Sequence, residues 1–217
     1  MNKLAIFDCD GTLVDSGATI FEALSATLDE HGIRVPPPRE CRRVIGLSLV
    51  EAMASLAPDA DDHATLAETY KRHFLRARQD GLVEEPLFPG IAELLDALEA
   101  DGWLLGIATG KSDRGVALCL EGHGLAGRFV TVQTADRHPS KPHPSMVEQA
   151  MAEAGATPAN TVVIGDTSFD MAMARAAGAV AIGAAWGYHD RDALIGAGAS
   201  HVAAHPLEIL ELTRALA

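Results

Sequence analysis

The sequence predicts an α/β protein, a doubly wound parallel sheet into which an all-helical cap is inserted. Three observations carry that prediction. Short apolar runs alternate with helical stretches of about ten residues through the second half of the chain, the pattern of a parallel sheet covered on both faces. Between residue 16 and about residue 84 the hydrophobic period is helical and no convincing strand occurs. Polar residues follow the apolar runs at once, as Asp8 and Asp10, as Thr109-Gly110-Lys111 and as Gly165-Asp166, and ligands of such sheets bind beyond the carboxyl ends of the strands.

Taken in order, Leu4-Ala5-Ile6-Phe7 is the first strand, and it stops in Asp8-Cys9-Asp10-Gly11-Thr12. Side chains repeat every second residue along a strand, so Asp8 and Asp10 point roughly the same way, toward one cation and one substrate, while Cys9 turns away into packing. Gly11 lets the chain turn. The helical insertion follows, with Ile20, Phe21, Leu24 and Leu28 on one face and stops at Gly32, Pro36-Pro37-Pro38, Gly46 and Pro58. Three or four helices fit between those stops. Glu84-Glu85-Pro86-Leu87-Phe88-Pro89-Gly90 makes a stiff return and, with Val14-Asp15-Ser16, a two-strand hinge. The expected division is residues 1–15 and 87–217 for a catalytic core and 16–86 for the cap. The core then reads as helix 91–99, strand 104–109, a helix through 120, strand 129–133, helix 145–153, strand 161–164, helix 169–177 and strand 179–182.

A chain of 217 residues, 48% hydrophobic, can bury a core. Its formal charge of -13, with no basic cluster beyond Arg42-Arg43 and Lys71-Arg72, argues against a nucleic-acid partner. No run is long and apolar enough to span a bilayer, and the apolar stretch in the first ten residues is too short for a secretory core. Cys9, Cys41 and Cys119 are odd in number and unpaired in spacing, which suggests neither a disulfide framework nor a cysteine zinc site. The expectation is a cytoplasmic protein with a small-molecule partner, neither nucleic acid nor membrane, and an oligomeric state left open.

The remaining strand ends complete a constellation. Thr109 places a hydroxyl before the flexible Gly110, suited to a phosphate oxygen, although a strand-end Thr before Gly is commonly a turn or cap. Lys141 lies in Pro139-Ser140-Lys141-Pro142-His143-Pro144, where three prolines restrict the backbone that carries one ammonium. Gly165-Asp166-Thr167-Ser168-Phe169-Asp170 sets one carboxylate at a strand end and another four residues on, which also reads as a helix cap with an acidic first turn.

These four pieces, in this order, resemble the four motifs of the haloacid dehalogenase superfamily, specifically its phosphatase branch with a helical cap after the first strand. Lys141-Pro142-His143-Pro144 and the place and size of the cap are similar to phosphoglycolate phosphatases. The resemblance implies a Rossmann-like core and Mg²⁺-dependent hydrolysis of a small phosphorylated metabolite through an aspartyl phosphate. Asp8 would be the nucleophile and Asp10 the acid and base. Mg²⁺ would be held by Asp8, the backbone carbonyl of Asp10, and Asp166. Thr109, Gly110 and Lys141 would bind the transferring phosphate, and Asp170 would orient Lys141 or a metal-bound water. Asp10 speaks for phosphate-ester chemistry, since the carbon-attacking and phosphonate branches do without it. Sugar phosphomutases carry Gly-x-Ser followed by arginine in the cap, whereas Gly46-Leu47-Ser48 is followed here by Leu49. Arg43 and Gly46 are the cap residues expected to touch the leaving group. Alternatives are a mutase or pyrophosphatase of the same superfamily and, from another class, a phospho-accepting signalling domain, which has no helical insertion and no need of Asp10.

Overall fold

The computed structural model describes residues 2–215. Strands β1 (Asn2–Phe7), β2 (Trp103–Thr109), β3 (Phe129–Thr134), β4 (Ala156–Gly165), β5 (Val180–Ala184) and β6 (His201–Ala203) form one parallel sheet in the order β3-β2-β1-β4-β5-β6. The direction of winding reverses between β1 and β4, where doubly wound sheets open a crevice for ligand. Alternate residues of β1 face opposite layers: Ala5 and Phe7 pack under helices α5 (Ile91–Ala100), α6 (Asp113–Gly122) and α10 (Glu208–Ala215). Leu4 and Ile6 pack under α7 (Ser145–Ala154), α8 (Ser168–Ala176) and α9 (Arg191–Ala197). Burial on both faces explains why β1 is a continuous apolar run instead of an alternating one.

Residues 17–79 hold α1 (Gly17–Glu30), α2 (Pro38–Arg42), α3 (Leu49–Leu56) and α4 (His63–Gln79), and no strand. Ile20, Leu24 and Leu28 of α1 meet Met53 and Leu66 in a separate hydrophobic cluster. Helix α4 starts where the Asp62 side chain accepts the amide of Thr65 at 2.9 Å, a side-chain cap on an otherwise unsatisfied donor. The two chain crossings lie side by side. Val14 bridges Leu87 in antiparallel fashion, Asp15 N donates to Pro86 O at 2.8 Å, and Phe88 N donates to Leu13 O at 3.0 Å.

One expectation needs correction, and one region carries elements beyond those expected. Strand β4 starts at Ala156, earlier than 161, because its partly exposed first half touches β1 only through Asn2 and Ala156 before the register shifts; Pro158 is tolerated where little pairing is asked of it. Beyond residue 182 the fold continues through α9, β6 and α10, of which β6 is a three-residue edge strand with a weak sequence signal. No helix among the described residues is long and apolar enough to cross a membrane.

Candidate active site

The carboxyl end of β1 is a tight turn. Leu13 N and Val14 N both donate to Cys9 O, at 2.9 and 3.0 Å, and Gly11 N donates to Val14 O at 2.9 Å. Gly11 has φ 81°, and a Cβ there would lie 2.2 Å from an Asp166 carboxylate oxygen, so both conformation and space require glycine. Asp8 Oδ1 accepts from Cys9 N at 2.7 Å and pairs with Lys141 Nζ at 3.0 Å. Asp8 Oδ2 is buried and has no hydrogen-bond partner. The Cys9 thiol points to the other side, 3.7 Å from Cys119 Sγ of α6, in the packing role its position predicts.

Lys141 Nζ also donates to Asp170 Oδ1 at 2.7 Å, while Asp170 Oδ2 accepts from Thr167 N and Thr167 Oγ1 at 3.1 and 2.6 Å. Thr167 and Asp170 are a reciprocal capping box for α8. The two sequence readings of this segment therefore coexist, with Thr167 as the N-cap and Asp170 serving both helix and lysine. Asp166 is fixed by Thr12 Oγ1 at 3.0 Å and by the backbone amide of Tyr188 at 2.8 Å. Thr109 is buried at the end of β2, its hydroxyl accepting from Lys111 N at 3.2 Å. Asp10 turns its carboxylate toward the crossings: Oδ1 accepts from Ser16 Oγ and pairs with Lys111 Nζ at 2.8 Å.

Carboxylate oxygens of Asp8, Asp166 and Asp170 lie within 4.8 Å of one another, all buried. Burial pushes Asp8 up to about 7, with Lys141 pulling it down and the charges of Asp170 and Asp10 adding to the rise. Burial, then Asp170 and Asp8, likewise holds Asp166 well above the ordinary carboxylate range. The Asp170 and Asp8 charges, with their hydrogen bonds, keep Lys141 charged against its burial. Three buried carboxyl groups share a single ammonium, and one of their oxygens has no partner. That donor set fits a hard divalent cation, which prefers oxygen ligands and would offset the desolvated charge. Of the six oxygens only Asp8 Oδ2 has no partner, since Asp166 is engaged by Thr12 and the Tyr188 amide and Asp170 by Lys141 and Thr167.

Above the cluster a cavity of about 860 Å³ lies between core and cap. Asp8, Asp10, Thr109 and Lys111 line it from the core, and Leu24, Tyr70 and Phe74 from the cap. The cap sits close: a Cβ on Gly110 would lie 2.6 Å from Leu47 O and 2.9 Å from Gly46 O, and Ser48 N donates to Ser140 Oγ at 2.8 Å. Gly46 lines the cavity with φ 99°. Arg43 does not. It is exposed at the C-terminus of α2, where a helix end that looks inward from its sequence neighbours turns its side chain to solvent. The basic side chains in the lining are Lys71, Arg78, Lys111 and Arg114. The loop after β5 contributes more than packing: Trp186 Nε1 donates to Thr12 O at 3.1 Å, and the Tyr188 hydroxyl accepts from Ser16 N at 3.1 Å.

Residues 5–184 match the family of haloacid dehalogenase-like hydrolases. The chain is 39% identical over 201 residues to the probable phosphatase IndB of Dickeya dadantii, covering 89% of this chain and 86% of that one. It is 34% identical over 197 residues to a phosphoglycolate phosphatase of Rhodospirillum rubrum, covering 87% and 81%. The crystal structure of a hydrolase from Pseudomonas syringae superposes with a TM-score of 0.86 at 29% identity, over 100% of both chains. With three strand-end motifs and the loop lysine Lys141 on a doubly wound sheet, and a match across most of its length, the chain belongs to the haloacid dehalogenase-like hydrolase family.

Proposed function

We propose that this protein is a Mg²⁺-dependent phosphatase that hydrolyses a small phosphorylated metabolite through a phosphate ester on Asp8. The single observation that carries the reading is Asp8 Oδ2, a buried carboxylate oxygen without a partner at the base of the cavity, with its sister oxygen held by Lys141 and Cys9 N. Asp8 Oδ2 attacks phosphorus and the bond to the leaving oxygen breaks. Asp10 gives that oxygen a proton, then takes one from the water that releases phosphate from Asp8. Lys141 and the Thr109 hydroxyl offset charge on the equatorial oxygens. Mg²⁺ held by Asp8, Asp166 and the main-chain carbonyl of Asp10 would neutralise the incoming phosphate. The helical insertion, residues 16–86, acts as a lid that opens for entry and excludes water when seated.

The leaving group is read by the cap. A cavity of about 860 Å³ falls in the upper part of the roughly 300–1,000 Å³ range of small-molecule sites, so it admits phosphoglycolate and larger esters alike. Phosphate release from a panel of small esters, with and without Mg²⁺, tests the reading, together with intact mass after rapid quench. Turnover that requires the cation and a transient gain of one phosphate on Asp8 is the expected result. Hydrolysis with Asp8→Asn at the parent rate would exclude it.

A further inference from the structure

Asp10 stands at the end of a line of alternating charge whose other three members the chemistry above leaves unused. Arg78 of α4 pairs with Glu85 in the second crossing. Glu85 Oε1 lies 2.7 Å from Lys111 Nζ, and the same nitrogen lies 2.8 Å from Asp10 Oδ1. The ring of Phe74, also from α4, stands beside both cations, its centroid 5.7 Å from Lys111 Nζ and from Arg78 Cζ. Glu85 is anchored in turn through its carbonyl oxygen, 2.7 Å from His123 Nε2.

Lys111 lines the cavity, and a cation there reads first as a ligand for the substrate. Its contacts say otherwise. The ammonium is already shared between two carboxylates in a charge-matched row, and neutralised cations add little to the binding of another anion. Ser16 Oγ donates to the same oxygen of Asp10 that Lys111 holds, so both contacts fall on Oδ1 and neither on Oδ2. A carboxylate gripped by one oxygen presents the other in a fixed direction, here on the wall of the cavity.

We infer that Lys111, held by Glu85 and Arg78, is a positioning residue that aims the carboxylate of Asp10 at the leaving oxygen and ties that aim to the seated cap. The inference rests on the phosphatase reading above. Arg78 belongs to the cap, Glu85 to the crossing and Lys111 to the core, so the row is complete only when the three parts meet as they do here.

The test is single-turnover phosphorylation of Asp8, followed by rapid quench with Mg²⁺ present, from ethyl phosphate and from 4-nitrophenyl phosphate. Parent, Glu85→Gln, Lys111→Met and Lys111→Arg proteins are compared, each with a thermal melt. Lys111→Met should slow transfer from the alkyl ester by about tenfold to a hundredfold, the scale of a misplaced reacting group. Transfer from the aryl ester should change by less than roughly threefold, because a good leaving group needs little protonation. Half-saturating substrate should stay the same. Glu85→Gln, which keeps shape and folding, should show the same selective loss in smaller measure, and Lys111→Arg should recover most of it. Equal losses on both esters, or a raised half-saturation at unchanged rate, would overturn the inference and make Lys111 a structural or substrate-binding group. If the parent forms no phosphoenzyme from either ester, the phosphatase reading fails and the inference with it. If the parent does and the variants keep its selectivity, the inference alone fails.

Discussion

Core and cap hold their functional groups in opposite ways. In the core, Asp8, Asp166, Asp170 and Lys141 are buried at strand and helix ends, and every carboxylate oxygen but Asp8 Oδ2 is satisfied by a neighbour, several of them backbone amides. In the cap, the seat on the core near the cavity is made partly by the main chain, with the carbonyls of Gly46 and Leu47 over Gly110 and the amide of Ser48 on Ser140, and partly by the ion pairs from Arg78 through Glu85 to Lys111. A contact made by backbone atoms survives changes of side chain, so this part of the seat leaves the neighbouring cap side chains free to vary. On the proposed reading the core would set the chemistry and the cap the substrate.

The sharpest test of that division is Asp10, which belongs to the core but is gripped by Ser16 of the first crossing as well as by Lys111. Asp10→Asn keeps the main-chain carbonyl and the size of the side chain but loses the exchangeable proton. Hydrolysis of an alkyl phosphate should fall by roughly 10²–10⁴-fold, the usual worth of a general acid or base. With an aryl phosphate, Asp8 should accumulate phosphate, visible by intact mass, since departure is easy while release still lacks its base. Parent-like turnover of alkyl phosphates would make Asp10 merely structural. Next in size, Asp166→Ala should weaken Mg²⁺ by at least the 10–100-fold lost when groups supporting a metal site are removed, while the fold persists. Titration of activity against Mg²⁺ measures it, and normal turnover at limiting cation would remove Asp166 from the site.

Gly110→Ala breaks the comparison from the other side. Its Cβ would meet the Leu47 carbonyl at 2.6 Å, and backbone cannot swing away, so the cap must shift. We expect kcat/KM to drop by roughly tenfold, as for a small displacement of the seated geometry, with the melting temperature of the core nearly unchanged. A large loss of stability would mean that Gly110 serves the core fold first.

The smallest effect concerns the buried acids themselves. Asp8 is raised to about 7 from an ordinary value of 3.8, so between those values the folded state binds more protons than the unfolded one. Without cation, stability should therefore fall as pH rises through about 7, by on the order of 1 kcal/mol between pH 6 and 8. Saturating Mg²⁺ should flatten that slope. Thermal melts in chelator and in Mg²⁺ across this range provide the check; a metal-free protein that gains stability toward pH 8 would contradict it.

The fold, and the strand-end positions of the candidate site residues, were legible because both obey local rules. Apolar runs mark buried strands, and the residues that stop them lie where ligands bind, which finds Asp8, Asp10, Thr109 and Asp166 from sequence alone. What escaped depends on long-range docking or on backbone atoms. Tyr188 supports Asp166 with an amide that no side-chain pattern reports, and its hydroxyl meets Ser16 from 172 residues away. Lys111 stands at a strand end and so had a local signal, but its meaning came only from Glu85 and Arg78. Arg43 lies exposed and outside the cavity lining, because charge and proximity to Gly46 in sequence do not determine which way a side chain leaves a short helix.

The pairing of Val14 with Leu87 has a consequence for how the chain reaches this state. Strand β1 is central, yet its neighbours β2 and β4 are made long after it, with the cap synthesised in between. Once Val14 and Leu87 meet, the whole cap becomes an excursion outside the loop that joins β1 to β2, and the span left to close is short. Closure entropy grows only slowly with length, by about 0.6 kcal/mol per doubling, so an insertion fastened at its base burdens assembly of the sheet little. A cap of another size, grafted at the same two residues, would leave the register of β1 against β2 unchanged.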